Sequence, residues 1–205
     1  MTKKDRHSPV DTIQPLFDAV VMGVSAGGLK ALQTVLPALP AGFPLPVIVV
    51  QHLGPGSDDF LARYLDEHTA MHVKEADEKE TVLPGTIYIA PANYHLLVED
   101  DRTFSLTLEN RVNFSRPSID ILFETAADVF CPRLIGVVLT GANNDGSMGL
   151  ARIKNKGGLA VVQNPATAEA DAMPRAAIKA VDVDFVLPLE TIGPFLANLC
   201  VRGKN

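Results

Sequence analysis

Residues 19–24, Ala-Val-Val-Met-Gly-Val, form an uninterrupted apolar run with no alternation of polar and apolar positions. A run this short and this apolar suits a strand buried on both faces, as inner strands of parallel sheets are. Gly27-Gly28 breaks it, and residues 29–39 then follow helical periodicity. The unit recurs. Residues 46–50 repeat the strand pattern and stop at Gln51-His52. Ser57-Asp58-Asp59 then signals a helix start, with Phe60, Leu61, Tyr64 and Leu65 as its apolar stripe. From Arg116-Pro117-Ser118 onward the alternation predicts a helix through Phe130, a strand at 134–139 and a helix after Asp145. A strand at 159–162, a helix near Pro174, a strand at 184–187 and a helix over 189–200 complete it. Between these halves, short β-like runs at 86–90, 95–98 and 104–108 are separated by turn signals at Pro84-Gly85, 91–93 and 99–101. The expected fold is therefore α/β: a doubly wound, mostly parallel sheet with crossover helices and an antiparallel hairpin at one edge. The 205 residues fit one domain over 18–200, with a polar tail at 1–17 and a short one at 201–205.

Composition removes several classes of function. A net charge of -6 and the lack of a basic stripe argue against a nucleic-acid partner. No apolar run approaches the roughly 20 residues needed to cross a bilayer, so no membrane insertion is expected. The N-terminus carries Lys3, Lys4, Asp5 and Arg6 without the apolar stretch of a signal peptide, which predicts a cytoplasmic protein. Cys131 and Cys200 match no metal or redox spacing and are expected as reduced thiols.

Ligands of open α/β sheets bind beyond the carboxyl ends of the strands. Ser25 follows the first strand, His52 the second, and the loop from Thr140 to Gly146 follows the strand at 134–139, so parallel strands would deliver all three to one sheet edge. A serine, a histidine and an aspartate gathered there are the parts of a nucleophile, base and orienter. Serine is a poor nucleophile until a neighbouring imidazole takes its proton, and an unperturbed imidazole titrates at about 6.5. The glycines of Gly23-Val24-Ser25-Ala26-Gly27-Gly28 allow a sharp strand-to-helix turn, and the helix start offers free N–H groups for an oxyanion. The same Gly-rich turn also suits a phosphate, although Lys30 is followed by Ala31 rather than by the Ser or Thr of a P-loop. Asn143-Asn144-Asp145-Gly146 also reads as a turn with a helix cap. His95 is the rival base, because Asn93-Tyr94-His95 follows a strand.

At these residues the chain resembles the catalytic domain of protein-glutamate methylesterases, the enzymes that demethylate chemotaxis receptors. The resemblance runs from about Asp18 to Leu199. It covers Gly23 to Gly28, Val50-Gln51-His52, Ile89-Ala90-Pro91, Arg116-Pro117-Ser118-Ile119-Asp120, Leu139-Thr140-Gly141 leading into Asp145-Gly146, Gln163, and Met173-Pro174-Arg175-Ala176. It implies Ser25 as nucleophile, His52 as general base and acid, and Asp145 as orienter, with backbone N–H groups of Ala26 and Ala142 stabilising the oxyanion. The order Ser, His, Asp differs from the Ser, Asp, His of α/β-hydrolases. The implied substrate is a glutamyl methyl ester on a methyl-accepting chemotaxis receptor, with glutamine deamidation by the same route, and no metal or organic cofactor. Arg116 is the expected substrate-orienting cation. The sequence departs from the family's pattern at Ala142-Asn143, where methionine and glycine are usual, and at Ala26, where a hydroxylated residue is common. Many relatives carry an N-terminal receiver domain. The 18 residues before the first strand leave no room for one, so regulation is expected to come from a partner in trans or to be missing. The other readings are a serine hydrolase acting on different esters and a non-catalytic phosphate- or nucleotide-binding module.

Overall fold

In the computed structural model, which describes residues 16–54 and 56–201, the first apolar run is strand β1 (Ala19–Val24), buried at every residue. Helix α1 (Gly28–Val35), strand β2 (Val47–Gln51), helix α2 (Phe60–His68) and strands β3 (His72–Glu75) and β4 (Thr86–Ile89) follow it. Next come the strands β5 (His95–Val98) and β6 (Phe104–Thr107), then helix α3 (Ile119–Phe130) and strand β7 (Leu134–Val138). Helix α4 (Ser147–Asn155), strand β8 (Leu159–Gln163), helix α5 (Ala172–Ala180), strand β9 (Phe185–Leu187) and helix α6 (Leu189–Val201) complete the order.

Seven strands form one parallel sheet in the order β3-β4-β2-β1-β7-β8-β9. Successive β1 side chains serve opposite faces, as the two-residue period of a strand requires. Val20, Met22 and Val24 join a core with α1, α2 and α6, whereas Ala19 and Val21 join a second core with α3, α4 and α5. The sheet is thus doubly wound, as the alternation of elements predicts. From β1 the chain steps to β2 on one side, and from β7 it steps to β8 and β9 on the other. The winding reverses between β1 and β7, and at such a switch point the loops diverge and leave a crevice.

The middle segment differs in detail from expectation. The run at 86–89 is an inner parallel strand, and the edge beside it is β3, which the sequence pattern did not reveal. Its four residues, His-Val-Lys-Glu, bury only Val73 fully, so they carry too little apolar signal. The hairpin exists as β5 and β6, but it forms a two-stranded sheet separate from the seven-stranded one. Leu96, Val98 and Phe104 press into the α3-side core, so the hairpin covers a sheet face instead of extending an edge. Of the expected tails, residues 1–15 and 202–205 lie outside the described residues, as does the side chain of Cys200. Phe17 packs against the core. Cys131 is a free, part-buried thiol.

Candidate active site

Register alone brings the nucleophile and base together. Val24 pairs with Gln51 across β1 and β2, so the next residue on each strand, Ser25 and His52, leaves the sheet side by side. His52 N–H donates to the Val24 carbonyl (3.1 Å), and Ser25 N–H donates to the carbonyl of Thr140 beyond β7 (2.9 Å). The Gln51 amide fastens both turns, with Nε2 donating to the Ser25 and His52 carbonyls at 3.0 and 2.9 Å. Gln51 can lie there only because Gly28 has no side chain: a Cβ on Gly28 would fall 1.8 Å from Gln51 Oε1. Gly27 serves differently, turning the chain into α1 with φ of 75°, a left-handed conformation that glycine adopts freely.

Ser25 Oγ lies 3.1 Å from His52 Nδ1, and His52 Nε2 lies 2.8 Å from Asp145 Oδ2. An ionised carboxylate only accepts, so the imidazole proton resides on Nε2 and the Nδ1 lone pair faces the serine hydroxyl. The structure thus brings together the three residues singled out in the sequence.

Asp145 is fully buried and takes five hydrogen bonds. Oδ2 accepts from His52 and from Ile119 N–H (2.7 Å). Oδ1 accepts from Ser118 Oγ (2.9 Å), Asn113 Nδ2 (3.0 Å) and Asp120 N–H (3.2 Å). Ile119 and Asp120 open α3, so Asp145 satisfies otherwise unpaired helix N–H groups and sits at the positive end of the helix dipole. Burial pushes its pKa upward, but the hydrogen bonds from His52, Ile119 and Asn113 prevail and hold it below the ordinary carboxylate range. Asp120 returns the arrangement. From the first turn of α3, its Oδ1 accepts from Gly149 N–H in the first turn of α4 (2.8 Å), and its Oδ2 accepts from Asn113 Nδ2 (2.9 Å). Each helix therefore begins on a carboxylate supplied from the start of the other.

The two carboxylates do not share one ionisation behaviour. Burial, reinforced by the Asp145 charge and opposed only in part by Gly149 and Asn113, pushes Asp120 up to about 6 from 3.8. Raising a carboxyl pKa in the folded state means that ionisation costs stability. The contribution of Asp120 is full below 3.8 and is lost as pH rises through about 6. Asp120→Asn removes that dependence, so the Tm of the variant minus that of wild type should climb between pH 4 and pH 7. Calorimetric scans across that range test this, and a flat difference would refute it.

Sequence reasoning assigns no role to Asn113, Ser115, Ser118 or Asp120, which the structure places around the triad. Ser115 Oγ lies 3.4 Å from His52 Nδ1, and Asn143 Nδ2 reaches Ser115 Oγ at 3.4 Å. Asn143 also accepts from Asp145 N–H (3.1 Å), so this departure from the family's usual residue braces the turn that carries Asp145. His95, the rival base, is fully buried. It donates from Nε2 to the Asn110 carbonyl and accepts at Nδ1 from Ser118 N–H, both at 3.1 Å. Burial pushes its pKa down, and it serves as a packing residue behind α3.

Ser25 stands between two clefts. One, of about 500 Å³, includes Gly28, Leu29, Gln51, Leu53 and Phe60. The other, of about 280 Å³, includes His52, Arg111, Phe114, Ser115, Arg116 and Asn143. Arg116 lines the second, but its guanidinium is committed to the loops: it donates to the carbonyls of Leu108 and Glu109 and to Asn93 Oδ1. The backbone N–H groups of Ala26 and Ala142 have no acceptor among the described residues. No group of three or more His, Cys, Asp or Glu side chains that could hold a metal ion occurs among the described residues.

Comparison with known proteins adds an independent line. The family model described as CheB methylesterase matches residues 20–196. A protein of Leptospira interrogans (strain Fiocruz L1-130), named "Putative protein-glutamate methylesterase/protein-glutamine glutaminase", is 55% identical over 183 residues, covering 89% of this chain and 95% of that protein. The protein-glutamate methylesterase FrzG of Myxococcus xanthus is 39% identical over 182 residues, which cover 89% of this chain and 54% of FrzG. The crystal structure of the Thermotoga maritima CheB methylesterase catalytic domain superimposes with a TM-score of 0.85 at 36% identity, covering 89% of this chain and 98% of that one.

Proposed function

The chain belongs to the CheB methylesterase family, and on that premise we propose that it hydrolyses glutamyl methyl esters of chemotaxis receptors, with Ser25, His52 and Asp145 as its catalytic triad. The observation that carries this reading is the continuous relay from Ser25 Oγ through His52 to a buried, five-fold hydrogen-bonded Asp145. A phosphate-cradling loop has no use for an ionised carboxylate behind an imidazole.

Ser25 Oγ attacks the ester carbonyl as His52 Nδ1 takes its proton. Asp145 stabilises the imidazolium through Nε2–H. The N–H groups of Ala26 and Ala142 donate to the tetrahedral oxyanion. His52 then returns the proton to the departing methoxide, and methanol leaves a Ser25-linked acyl-enzyme. Water deprotonated by the same imidazole attacks that acyl group, His52 passes the proton to Ser25 Oγ as the Ser25–acyl bond breaks, and the product is glutamate. With a glutamine side chain the leaving group is ammonia, matching the glutaminase half of the relatives' names. Arg116 braces the cleft and adds positive potential for the product carboxylate. No described helix is long and apolar enough to cross a membrane, which fits action in the cytoplasm on the soluble part of a receptor. Control by a separate regulatory protein belongs to the same proposal.

The test is methanol release from a methylated receptor fragment incubated with the purified chain. Stoichiometric methanol with new free carboxylates is the expected result. Absence of methanol at enzyme concentrations equal to substrate would end the proposal.

A further inference from the structure

The turn that steadies the triad also carries an aromatic side chain that the fold does not use. Val112 and Ser115 exchange two backbone hydrogen bonds, N–H of Val112 to the Ser115 carbonyl (3.1 Å) and the reverse (2.8 Å). The two residues between them, Asn113 and Phe114, both lie in the left-handed region, at φ of 49° and 63°. A two-residue turn of this kind favours Asn at its first position and Gly at its second. Asn113 fits that rule and sends Nδ2 to both Asp120 and Asp145. Phe114 breaks it: a bulky residue at positive φ is uncommon, and this one is 95% exposed. Neither turn geometry nor core packing accounts for a phenylalanine here.

Its position does. Phe114 lines the cleft of about 280 Å³ that contains Ser25 and His52. Beside it stands Arg111, exposed and without an acidic partner among the described residues. An ester bound at Ser25 Oγ brings the polypeptide that bears it across this mouth. We propose that Phe114 and Arg111 form the docking edge for that polypeptide. Phe114 covers an apolar side chain near the ester, and Arg111 pairs with a neighbouring carboxylate. The occupant is the substrate protein itself. The apolar ring and the unpaired guanidinium match a segment that mixes apolar residues with glutamates. Asn113, one residue away, ties this edge to Asp145. The inference rests on the hydrolase reading above and adds the surface that distinguishes a protein substrate from a small ester.

The experiment compares kcat/KM on a methylated receptor fragment with kcat/KM on p-nitrophenyl acetate, for wild type, Phe114→Ala, Phe114→Tyr and Arg111→Gln. Exposed aromatic anchors dominate many protein contacts, so Phe114→Ala should lower the ratio of the two constants about 10-fold. The change should come through KM on the receptor, and Phe114→Tyr should restore most of it. Arg111→Gln should lower the ratio less, with an effect that fades at high salt. An unchanged ratio in Phe114→Ala overturns the proposal, as does an equal loss on both substrates, which would mark the turn as merely structural. Wild type that releases no methanol would instead overturn the hydrolase reading, and the docking edge with it.

Discussion

Ser25→Ala should abolish methanol release while leaving the fold intact. By analogy with nucleophile removal in other serine hydrolases, kcat should fall by about 10⁵–10⁶-fold. The structure says why the loss should be purely chemical. Among the described residues, the only side-chain hydrogen bond of Ser25 is the one between Oγ and His52. Its backbone, by contrast, is held by Thr140, Gly28 and Gln51, none of which depends on the hydroxyl. The side chain is half-buried, so alanine opens no core cavity. Tm should therefore stay within about 2 °C, since 1 kcal/mol corresponds to roughly 2–4 °C at this chain length. The measurements are single-turnover methanol release and a thermal scan on the same preparation. A variant that keeps more than a hundredth of wild-type kcat would remove Ser25 from the role of nucleophile.

The main lines of the fold were readable from local pattern, and the reasons are specific. Residues 19–24 and 47–50 are apolar without interruption, because each strand is buried on both faces. That burial makes a parallel inner strand legible from one sequence. The edge strand β3 was not, since its exposed His72 and half-buried Lys74 and Glu75 dilute the signal. The pattern predicts the hairpin itself, whereas its seat on the α3-side core is a matter of tertiary packing. Alternation reveals that two runs pair, but it cannot say whether Leu96 and Phe104 meet a sheet edge or a helix.

The site divides in the same way. Ser25, His52 and Asp145 each end or follow a parallel strand, so chain order alone predicts their meeting. The residues behind them reach the site by other means. Asn113 arrives through a left-handed two-residue turn and Ser115 leaves that turn. Asp120 points into the site only because α3 and α4 start against each other. Long-range packing of this kind leaves no periodic trace in a sequence. Arg116 lines the cleft as its position in the sequence predicts, but the three loop oxygens that accept from its guanidinium leave no trace in the sequence pattern.

Asp145→Asn should be costly twice over, and the two costs can be separated. The carboxylate accepts five hydrogen bonds, from His52, Ser118, Ile119, Asn113 and Asp120. A carboxamide offers one oxygen, so its NH₂ would take the place of Oδ2 and face the Ile119 N–H and His52 Nε2. The Ile119 N–H is then left unpaired in the core and opposed by the NH₂, which costs about 1–3 kcal/mol. Taking about 3 kcal/mol as a working value, Tm should drop by roughly 6–12 °C. The sign with pH follows from the depressed pKa of Asp145. Its stabilisation is present above the unfolded-state value and disappears as pH falls through the lower folded-state value. The Tm gap between wild type and variant should therefore close in acid. The catalytic cost has a different origin. An amide facing His52 Nε2 acts as a donor, so it favours the tautomer with the proton on Nδ1, pointing at Ser25 Oγ. That imidazole has no lone pair for the serine proton. The corresponding change in a serine protease lowers kcat about 10⁴-fold with the geometry intact, and a similar loss is expected here at temperatures where circular dichroism shows the variant folded. Retention of a tenth of wild-type kcat by a folded Asp145→Asn protein would mean that another group orients His52, and Ser115, 3.4 Å from Nδ1, would be the first to examine.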